Sequence, residues 1–312
     1  MTVEMVFQII VLAVGVVMLV KGSDWFVDGA SAVARRFGIP QMVIALTVVA
    51  MGTSAPEAAV SLSAALRGNT DITIGSIVSS NILNILIILG VSAMVTDLEV
   101  AKSTIRAEIP VMLAVTAVLM LQGTDGQVGR GNGAVLLLLF MIYLGYLYRM
   151  AKKGREEPQE AFVDQPVKRC VFMTVAGLAL LILGSSITVD MATEVAREFG
   201  LSERIIGLTI VAMGTSLPEL FTSVNAALKG NADIAIGNIV GSNIFNILFI
   251  VGLSGLIVPV SFADMFLTDT LVAMAAAVLL GGFCVKKGKL VSRHGAVMLF
   301  VYGIYLGWLM MK

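Results

Sequence analysis

The chain has 312 residues, of which 58% are hydrophobic and 13% are charged. Soluble domains are roughly 45–50% apolar and about 25% charged, so this composition is typical of an integral membrane protein. Basic and acidic residues balance at 21 each, which argues against a nucleic-acid partner. Long apolar runs satisfy their backbone polar groups in a bilayer by forming helices, and we therefore predict an all-α integral membrane protein.

The rare residue types remove further classes of site. His294 is the only histidine and lies in a basic loop, which excludes a metal site built from histidines. Cys170 and Cys284 are the only cysteines, and both fall at the ends of predicted spans on the side assigned below to the cytoplasm. We expect them to be reduced and incidental, because cytosolic disulfides are rare. The first apolar run follows Glu4 rather than a basic segment, so we interpret it as the first span and not as a signal peptide.

Stretches without charge predict ten membrane spans, separated near the middle by a polar loop at residues 151–168. In chain order the predicted spans are Met5–Val20 with a continuation to Ala34, Pro40–Leu66, Ile72–Val95, Ile109–Gln122, Ala134–Tyr148, a span beginning near Val171, Arg204–Leu228, Ile234–Val260, Leu267–Val285 and Ala296–Met311.

Five charged residues near span ends receive structural interpretations. We expect Lys21, Asp24 and Asp28 in the first span to pair with one another near the membrane boundary. Asp71 and Asp233 begin the third and eighth spans, where negative charge suits a helix N-terminus, and we interpret them as caps.

The second half of the chain repeats the first. The motif Gly-Thr-Ser-x-Pro-Glu occurs at Gly52–Glu57 and Gly214–Glu219, and Thr53 and Thr215 are 162 positions apart, as are the two glutamates. The similarity extends beyond the motif, so the repeating unit is five spans. Because five is odd, equivalent spans cross the membrane in opposite directions. We therefore predict two inverted five-helix repeats, at residues 1–150 and 169–312, with the most similar segments at about 50–84 and 212–246.

The loop charges predict the orientation. Lys21 lies in a span; of the other basic residues, five fall on one side of the membrane and the other fifteen on the opposite side. The five are Arg67, Arg130, Arg197, Arg204 and Lys312. The excess of basic residues places the central loop in the cytoplasm and both termini outside.

The repeated motif places a carboxylate inside each of two spans. Neither part of the second span, before or after Glu57, reaches the roughly 20 residues that a crossing needs, and the same holds for Glu219. An ionisable group at that depth marks an ion or proton pathway. Proline frees the backbone carbonyls that precede it, and hydroxyl oxygens lie beside them, on Thr53, Ser54, Thr215 and Ser216. Such an all-oxygen set suits Na⁺ and Ca²⁺ and disfavours zinc or copper.

The third and eighth spans supply further polar groups. Ser80 and Asn84 are four residues apart and share a helix face, as do Ser242 and Asn246. The small residues Gly75, Gly237 and Gly241 permit close helix packing. The two glutamates carry a charge of −2 when ionised, which matches one Ca²⁺ and is exceeded by three Na⁺. Mutually exclusive occupancy of one carboxylate pair is the simplest route to exchange.

With these residues, the chain closely resembles the cation/Ca²⁺ exchanger superfamily, in particular its prokaryotic Na⁺/Ca²⁺ exchanger-like branch. Gly52–Asn84 and Gly214–Asn246 are similar to the signature repeats of that family. The resemblance implies a central site between spans 2, 3, 7 and 8, and long gating helices in spans 1 and 6. The implied ligands are Glu57, Glu219 and the carbonyls of Thr53 and Thr215 for Ca²⁺; Ser54, Ser80, Ser216, Ser242 and the carbonyls of Ala50 and Ala212 for Na⁺; and Asn84 and Asn246 at the centre.

Some positions discriminate within that superfamily. Asn246 stands where K⁺-dependent members have aspartate, which argues against K⁺ co-transport. Thr53 and Thr215 resemble the Na⁺-coupled members, whereas Ca²⁺/H⁺ exchangers have Gly-Asn-x-x-Glu at this point. Ser76 and Ser79 in the first repeat stand opposite an asparagine and a glycine in the second.

We therefore predict a Na⁺/Ca²⁺ antiporter of the cell (inner) membrane that works by alternating access. It would carry Na⁺ and Ca²⁺ as transported ions and contact the lipid bilayer, with no prosthetic group, enzymatic activity or obligate protein partner. A Ca²⁺/H⁺ (or other cation/H⁺) antiporter and a cation channel remain alternatives. An intramembrane enzyme has the least support, because the two glutamates have no paired nucleophile, histidine or metal-ligand cluster.

Overall fold

The protein is helical throughout most of the residues that the structure, a computed structural model, describes: 3–154, 166–200, 210 and 212–311. The α-helices are α1 Val3–Phe37, α2 Gln41–Ile44, α3 Ala50–Thr53, α4 Ala55–Leu66, α5 Thr70–Leu83, α6 Gly90–Val95, α7 Ile109–Gly123, α8 Arg130–Gly154, α9 Val167–Glu198, α10 Ala212–Gly214, α11 Leu217–Leu228, α12 Ala232–Phe245, α13 Gly252–Ile257, α14 Asp264–Lys287 and α15 Ser292–Met311. Four π-helical segments that are fully described continue these helices, at Ala45–Val49, Asn84–Leu89, Thr104–Glu108 and Asn246–Val251.

Eight described helices are long and apolar enough to cross a membrane, and a ninth candidate is a bent pair. The bent pair is Gln41–Thr53 and Ala55–Leu66, with an angle of 50° between its parts. These helices confirm nine of the predicted spans as helical segments. The remaining prediction, Arg204–Leu228, lies partly outside the described residues, and its described part forms α10 and α11.

The fourth span begins earlier than the sequence predicts. It starts at Thr104 rather than Ile109, and so includes Arg106 and Glu108. The Glu108 carboxylate is fully buried and accepts a hydrogen bond of 2.7 Å from the Tyr146 hydroxyl of α8. A hydrogen-bond partner on the next span thus accompanies a buried carboxyl group that the hydropathy pattern alone assigns to a loop.

The third and eighth spans form the centre of the molecule. Within the most apolar 18-residue stretch of each span, 72% of the residues are buried in Thr70–Val95 and 94% in Ala232–Ile257. The corresponding share is 11% in Ser292–Met311, at the periphery. A helix that is apolar on all sides and buried by its neighbours is typical of a bundle core. Gly241 permits this packing, since a Cβ there would lie 2.8 Å from the backbone of Leu46 in the second span.

Two short antiparallel ribbons join the halves of the chain. Strand β1 (Leu98–Glu99) pairs with β4 (Lys289–Leu290), and β2 (Gln127–Val128) pairs with β3 (Val260–Ser261). Residues 98 and 260 differ by 162, as do residues 127 and 289, so the ribbons are equivalent under the offset of the sequence repeat.

Helices α1 and α9 pack with their backbones in close contact. A Cβ added at Gly22 would lie 2.9 Å from the Gly177 carbonyl oxygen, and one added at Gly177 would lie 2.8 Å from that of Gly22. Gly184 meets the backbone of α1 near Gly15 in the same way. Small residues at these positions let the two long helices form one tight pair.

Two predictions about the charged residues need correction. Asp24 and Asp28 form ion pairs with Lys229, from the turn after α11, because the folded chain brings that turn against α1; Lys21 contributes only a longer-range attraction to Asp24. Asp71 and Asp233 do lie in the first turns of α5 and α12, where negative charge suits a helix N-terminus, but they are not the N-cap residues. The residues at the N-cap positions are Asn69 and Asn231, and the Asn231 side chain accepts from the Ile234 N–H.

The two cysteines form no disulfide in the described structure, in agreement with the prediction that they are reduced. Cys170 at the start of α9 and Cys284 near the end of α14 are both free thiols, and both are buried.

Candidate functional site

The repeated motif breaks its helix in both halves of the chain. Helix α3 ends at Thr53, and α4 begins at Ala55 with Pro56 in its first turn. Ser54 lies between them with φ −79° and ψ 8°, and its equivalent Ser216 has φ −92° and ψ 5°. A proline cannot donate to the preceding turn, which explains a break at this point.

The carbonyls before each break accept hydrogen bonds from hydroxyl groups. The Ala50 carbonyl accepts from Ser242 Oγ of α12 at 3.3 Å, and the Gly214 carbonyl accepts from Ser185 Oγ of α9 at 2.6 Å. Such partners satisfy backbone groups that a broken membrane helix leaves free.

The two motif glutamates are held crosswise. Ser54 Oγ donates to Glu219 Oε1 at 2.8 Å, and Ser216 Oγ donates to Glu57 Oε1 at 3.0 Å. Each carboxylate therefore depends on a hydroxyl from the other half of the chain. The Thr53 and Thr215 side chains lie next to the Glu219 and Glu57 carboxylates respectively.

These carboxylates are buried without a described basic partner. Glu57 is 1% exposed and Glu219 is 0% exposed, and no Lys or Arg of the described residues forms an ion pair with either. In each glutamate, Oε2 has no hydrogen-bond partner in the described part of the chain. Burying an ionised carboxylate is very costly unless a cation, a proton or donors balance it.

Four asparagines from the central spans form a second symmetric arrangement. Asn81 Nδ2 donates to the Asn243 carbonyl at 3.2 Å, and Asn243 Nδ2 donates to the Asn81 carbonyl at 3.1 Å. Asn84 Nδ2 donates to Asn243 Oδ1 at 3.0 Å, and Asn246 Nδ2 donates to Asn81 Oδ1 at 3.1 Å. The network orients Asn84 and Asn246 and leaves the Oδ1 atom of each without a partner among the described residues.

Among the described residues, four of the unpartnered buried oxygens on the central spans belong to two carboxyl groups and two carboxamide groups. They are Glu57 Oε2, Glu219 Oε2, Asn84 Oδ1 and Asn246 Oδ1. Carboxylate and amide oxygens are ligands for hard cations. Ser80 adds a hydroxyl oxygen, 3.4 Å from Ser216 Oγ.

The two halves of the site differ in the hydrogen bonds that Asn238 makes. Asn238 accepts a hydrogen bond of 3.0 Å from Thr53 Oγ1 and donates one of 3.0 Å to Ser223 Oγ. In the first half, the residue 162 positions earlier is Ser76, and Ser61, the equivalent of Ser223, has an unpartnered Oγ in the described structure. The Ser76 side chain is too short to accept from a threonine and donate to a serine at the same time, as the Asn238 carboxamide does. The difference between the repeats therefore leaves one buried hydroxyl, that of Ser61, without a partner in the described structure.

Most of the residues singled out in the sequence come together here. Glu57, Glu219, Ser54, Ser216, Ser80, Ser242, Thr53, Asn84, Asn246 and Ala50 are buried on the four central segments, and Thr215 is half-buried. Ala212 begins α10 next to residues outside the described part, and its role stays a prediction, as do the carbonyl roles of Thr53 and Thr215.

Sequence reasoning missed some residues that orient the site. Asn81, Asn243, Asn238, Ser223 and Ser185 hold other site groups and are not ligand candidates by helix-face spacing. A signal existed for Asn81 and Asn243, since they too are 162 positions apart.

Comparisons with known proteins agree with this arrangement. The family described as "Sodium/calcium exchanger protein" matches residues 7–149 and 170–311. The putative antiporter CaxA of Alkalimonas amylolytica is 40% identical over 309 residues, covering 96% of this chain and 97% of that protein. The sodium/calcium exchanger MaX1 of Methanosarcina acetivorans is 31% identical, covering 95% of this chain and 97% of its own.

A solved structure is similar over almost its full length. The sodium-calcium exchanger NCX_Mj is 32% identical, with a TM-score of 0.85, and the match covers 97% of this chain and 99% of that one. The chain therefore belongs to the sodium/calcium exchanger family, as a multi-pass membrane antiporter.

Proposed function

We propose that the protein exchanges Na⁺ for Ca²⁺ across the membrane by alternating access to one central site. The observation that carries this proposal is the pair of buried carboxylates, Glu57 and Glu219. Each is oriented by a serine of the other half and has a second oxygen without a described partner. Their joint charge of −2 matches one Ca²⁺, and several Na⁺ in the same space would replace it.

We assign the ions to oxygens on four spans. Ca²⁺ would bind both glutamates and the carbonyls of Thr53 and Thr215. Na⁺ would use the serine hydroxyls and the carbonyls of Ala50 and Ala212, and the asparagines would face the centre. The Na⁺ ligands would thus be Ser54, Ser80, Ser216, Ser242, Ala50 and Ala212, and the central pair Asn84 and Asn246.

The two ribbons support ten spans arranged as inverted repeats at residues 1–150 and 169–312. With ten spans, β1 and β4 both lie on the face that follows odd-numbered spans, and β2 and β3 both lie on the other. Each observed pair thus joins strands of the same face. One miscounted span between the partners would place them on opposite faces. The charge bias then puts β1 and β4 in the cytoplasm with residues 151–168, and both termini outside.

Two features of the sequence favour sodium over protons as the counter-ion in this proposal. Thr53 and Thr215 resemble the Na⁺-coupled members of the superfamily, and Asn246 adds no third carboxylate that could carry a proton. If three Na⁺ exchange for one Ca²⁺, one net charge moves, and the membrane potential contributes about 2.3 kcal/mol per 100 mV.

The test is uptake of ⁴⁵Ca²⁺ into proteoliposomes loaded with Na⁺, with choline-loaded vesicles as the reference. We expect uptake only with internal Na⁺, and loss of uptake in Glu57→Gln and Glu219→Gln. The glutamine Oε1 can still accept from the serine, so these variants remove charge while keeping the crosswise hydrogen bonds. Normal uptake in either variant would show that the site is assigned wrongly.

Proton coupling is the second candidate, because each unpartnered carboxylate oxygen could also hold a proton. Uptake driven by a pH gradient in the absence of Na⁺ would favour it. Flux that needs no counter-ion would instead indicate a channel.

A further inference from the structure

A polar seam joins α1 to the end of α11 on the face assigned to the cytoplasm. Lys229 Nζ lies 3.3 Å from Asp24 Oδ1 and 2.7 Å from Asp28 Oδ1. The two aspartates are four residues apart and so lie on one face of α1. One lysine therefore bridges two successive turns of the helix.

Amide groups extend the seam on both sides of the lysine. Asn225 Nδ2 donates to Asp24 Oδ1 at 2.9 Å and lies 3.0 Å from Ser23 Oγ. Asn231 Nδ2 donates to Ser31 Oγ at 3.0 Å. The contacts cover about two turns of α1, so they fix its position along its own axis as well as its distance from α11.

The opposite half of the chain has the matching residues but not the matching contacts. Arg67 stands 162 positions before Lys229, and Asp190 stands 162 positions after Asp28. Both side chains are exposed, and neither forms an ion pair within the described residues. Whereas α1 packs extensively against α11, the equivalent helices α9 and α4, which are fully described, make at most a marginal contact.

The packing of α1 with α9 makes the two seams alternatives. Gly15 and Gly177 are 162 positions apart, as are Gly22 and Gly184, so the interface between α1 and α9 is itself symmetric. If the two helices, which are in backbone contact, move as one unit, that unit could form a polar seam with the central spans through α1 or, equivalently, through α9. Both helices contact the central spans, and the structure shows the polar seam of α1.

We propose that Lys229 and Arg67 are positioning residues for two alternating latches on the α1–α9 pair. In the described state Lys229 holds Asp24 and Asp28 on the cytoplasmic face. In the opposite state Arg67 holds Asp190 on the outer face, while the first latch is open. Asp24 is replaced by Ser186 in the second latch, so Lys229 faces two carboxylates and Arg67 faces one. Because the cytoplasmic latch has one more carboxylate than the outer latch, the described state is favoured in the absence of ions. The proposal depends on alternating access as the proposed function.

Cysteine pairs test the two latches separately in a background with Cys170→Ala and Cys284→Ala. We expect Asp28→Cys with Lys229→Cys to cross-link rapidly with a short bifunctional reagent in ion-free buffer. Arg67→Cys with Asp190→Cys should cross-link only after addition of Na⁺ or Ca²⁺, or during turnover. If the second pair never cross-links under conditions of active ⁴⁵Ca²⁺ uptake, or if both pairs cross-link equally under all conditions, the alternation is wrong.

Charge variants give the direction of the effect. Lys229→Gln should raise the rate of cross-linking at the outer pair about fivefold, as expected for the loss of two exposed ion pairs, and Lys229→Arg should restore the original rate. The matched control is Lys289→Gln, which breaks another exposed ion pair on the same face, with Glu99 at 2.7 Å, and should change neither rate. An equal effect of Lys229→Gln and Lys289→Gln would contradict the latch. If wild type shows no counter-ion-dependent uptake but the pairs still alternate, then the proposed coupling of Na⁺ to Ca²⁺ fails, whereas alternating access and the latch stand.

Discussion

The crosswise serines allow a quantitative test of the site. Ser54→Ala removes a hydroxyl that donates to a buried carboxylate of the other half at 2.8 Å. A hydrogen bond to a charged group contributes about 1.5–3 kcal/mol, which corresponds to roughly 10-fold to 150-fold in an equilibrium constant. The variant also removes a proposed Na⁺ ligand. We therefore expect the apparent Na⁺ affinity to fall by at least about tenfold in Ser54→Ala, and by a similar factor in Ser216→Ala.

Ser92 provides the matched control. Its side chain is also fully buried, but its hydroxyl donates at 2.8 Å to the Ile88 carbonyl of its own span. Ser92→Ala removes the same atom from an equally buried place without touching a carboxylate. Its apparent Na⁺ affinity should stay within about twofold of wild type, because a bond within one helix adds no ligand.

Two assays measure this affinity. One is ⁴⁵Ca²⁺ uptake as a function of internal Na⁺. The other is thermal unfolding in detergent as Na⁺ is added, since an ion that binds only the folded state stabilises it by RT ln(1 + [Na⁺]/Kd). The second assay does not depend on turnover. The reasoning is refuted if Ser54→Ala and Ser92→Ala shift the Na⁺ dependence equally in both assays.

Three further predictions concern the packing and polarity of the central spans. Gly241→Ala should cost about 1–3 kcal/mol of stability in thermal unfolding, because a Cβ would lie 2.8 Å from the backbone of the second span; Gly145→Ala in α8, with nothing within 4 Å, should cost none. Asn246→Asp should lower the ion-free unfolding temperature, since the new carboxylate faces an acceptor oxygen 3.1 Å away, and added Na⁺ or Ca²⁺ should recover more stability than in wild type. Ser76→Asn should raise the unfolding temperature by supplying a partner to an orphaned buried hydroxyl, whereas Asn238→Ser should lower it; the opposite order would contradict the assigned difference between the halves.

Hydropathy and the repeat are sufficient to predict much of this fold and site. The spans follow from the absence of charge over lengths that a bilayer requires, and the break follows from Pro56 and Pro218. The site follows from two carboxylates at matched positions in apolar runs. These are properties of single segments or of a simple offset, so a sequence shows them directly.

The features that sequence reasoning missed depend on contacts between distant segments. Lys229 is an ordinary loop lysine until the fold brings it against Asp24 and Asp28. Glu108 looks like a loop residue because its partner, Tyr146, is on another span. Two π-helical segments begin at matched positions, Asn84–Leu89 and Asn246–Val251. Their residue types do not distinguish them from an ordinary apolar α-helix, so the sequence does not predict them. Such segments occur often at functional sites, and here they begin with the central asparagines.

Under the proposed exchange of Na⁺ for Ca²⁺, the crosswise hydrogen bonds would make the two halves of the site act together. A hydroxyl can donate a hydrogen bond to a carboxylate while its lone pairs bind a cation. A Na⁺ on the Ser54 oxygen would make that hydroxyl a stronger donor to Glu219, and a Na⁺ on Ser216 would do the same for Glu57. Each sodium would therefore hold the carboxylate of the other half in its place. In the same proposal, a Ca²⁺ between the two glutamates would need both carboxylates turned toward itself. Neither carboxylate could take both orientations at the same time, so the two ions would compete for one site.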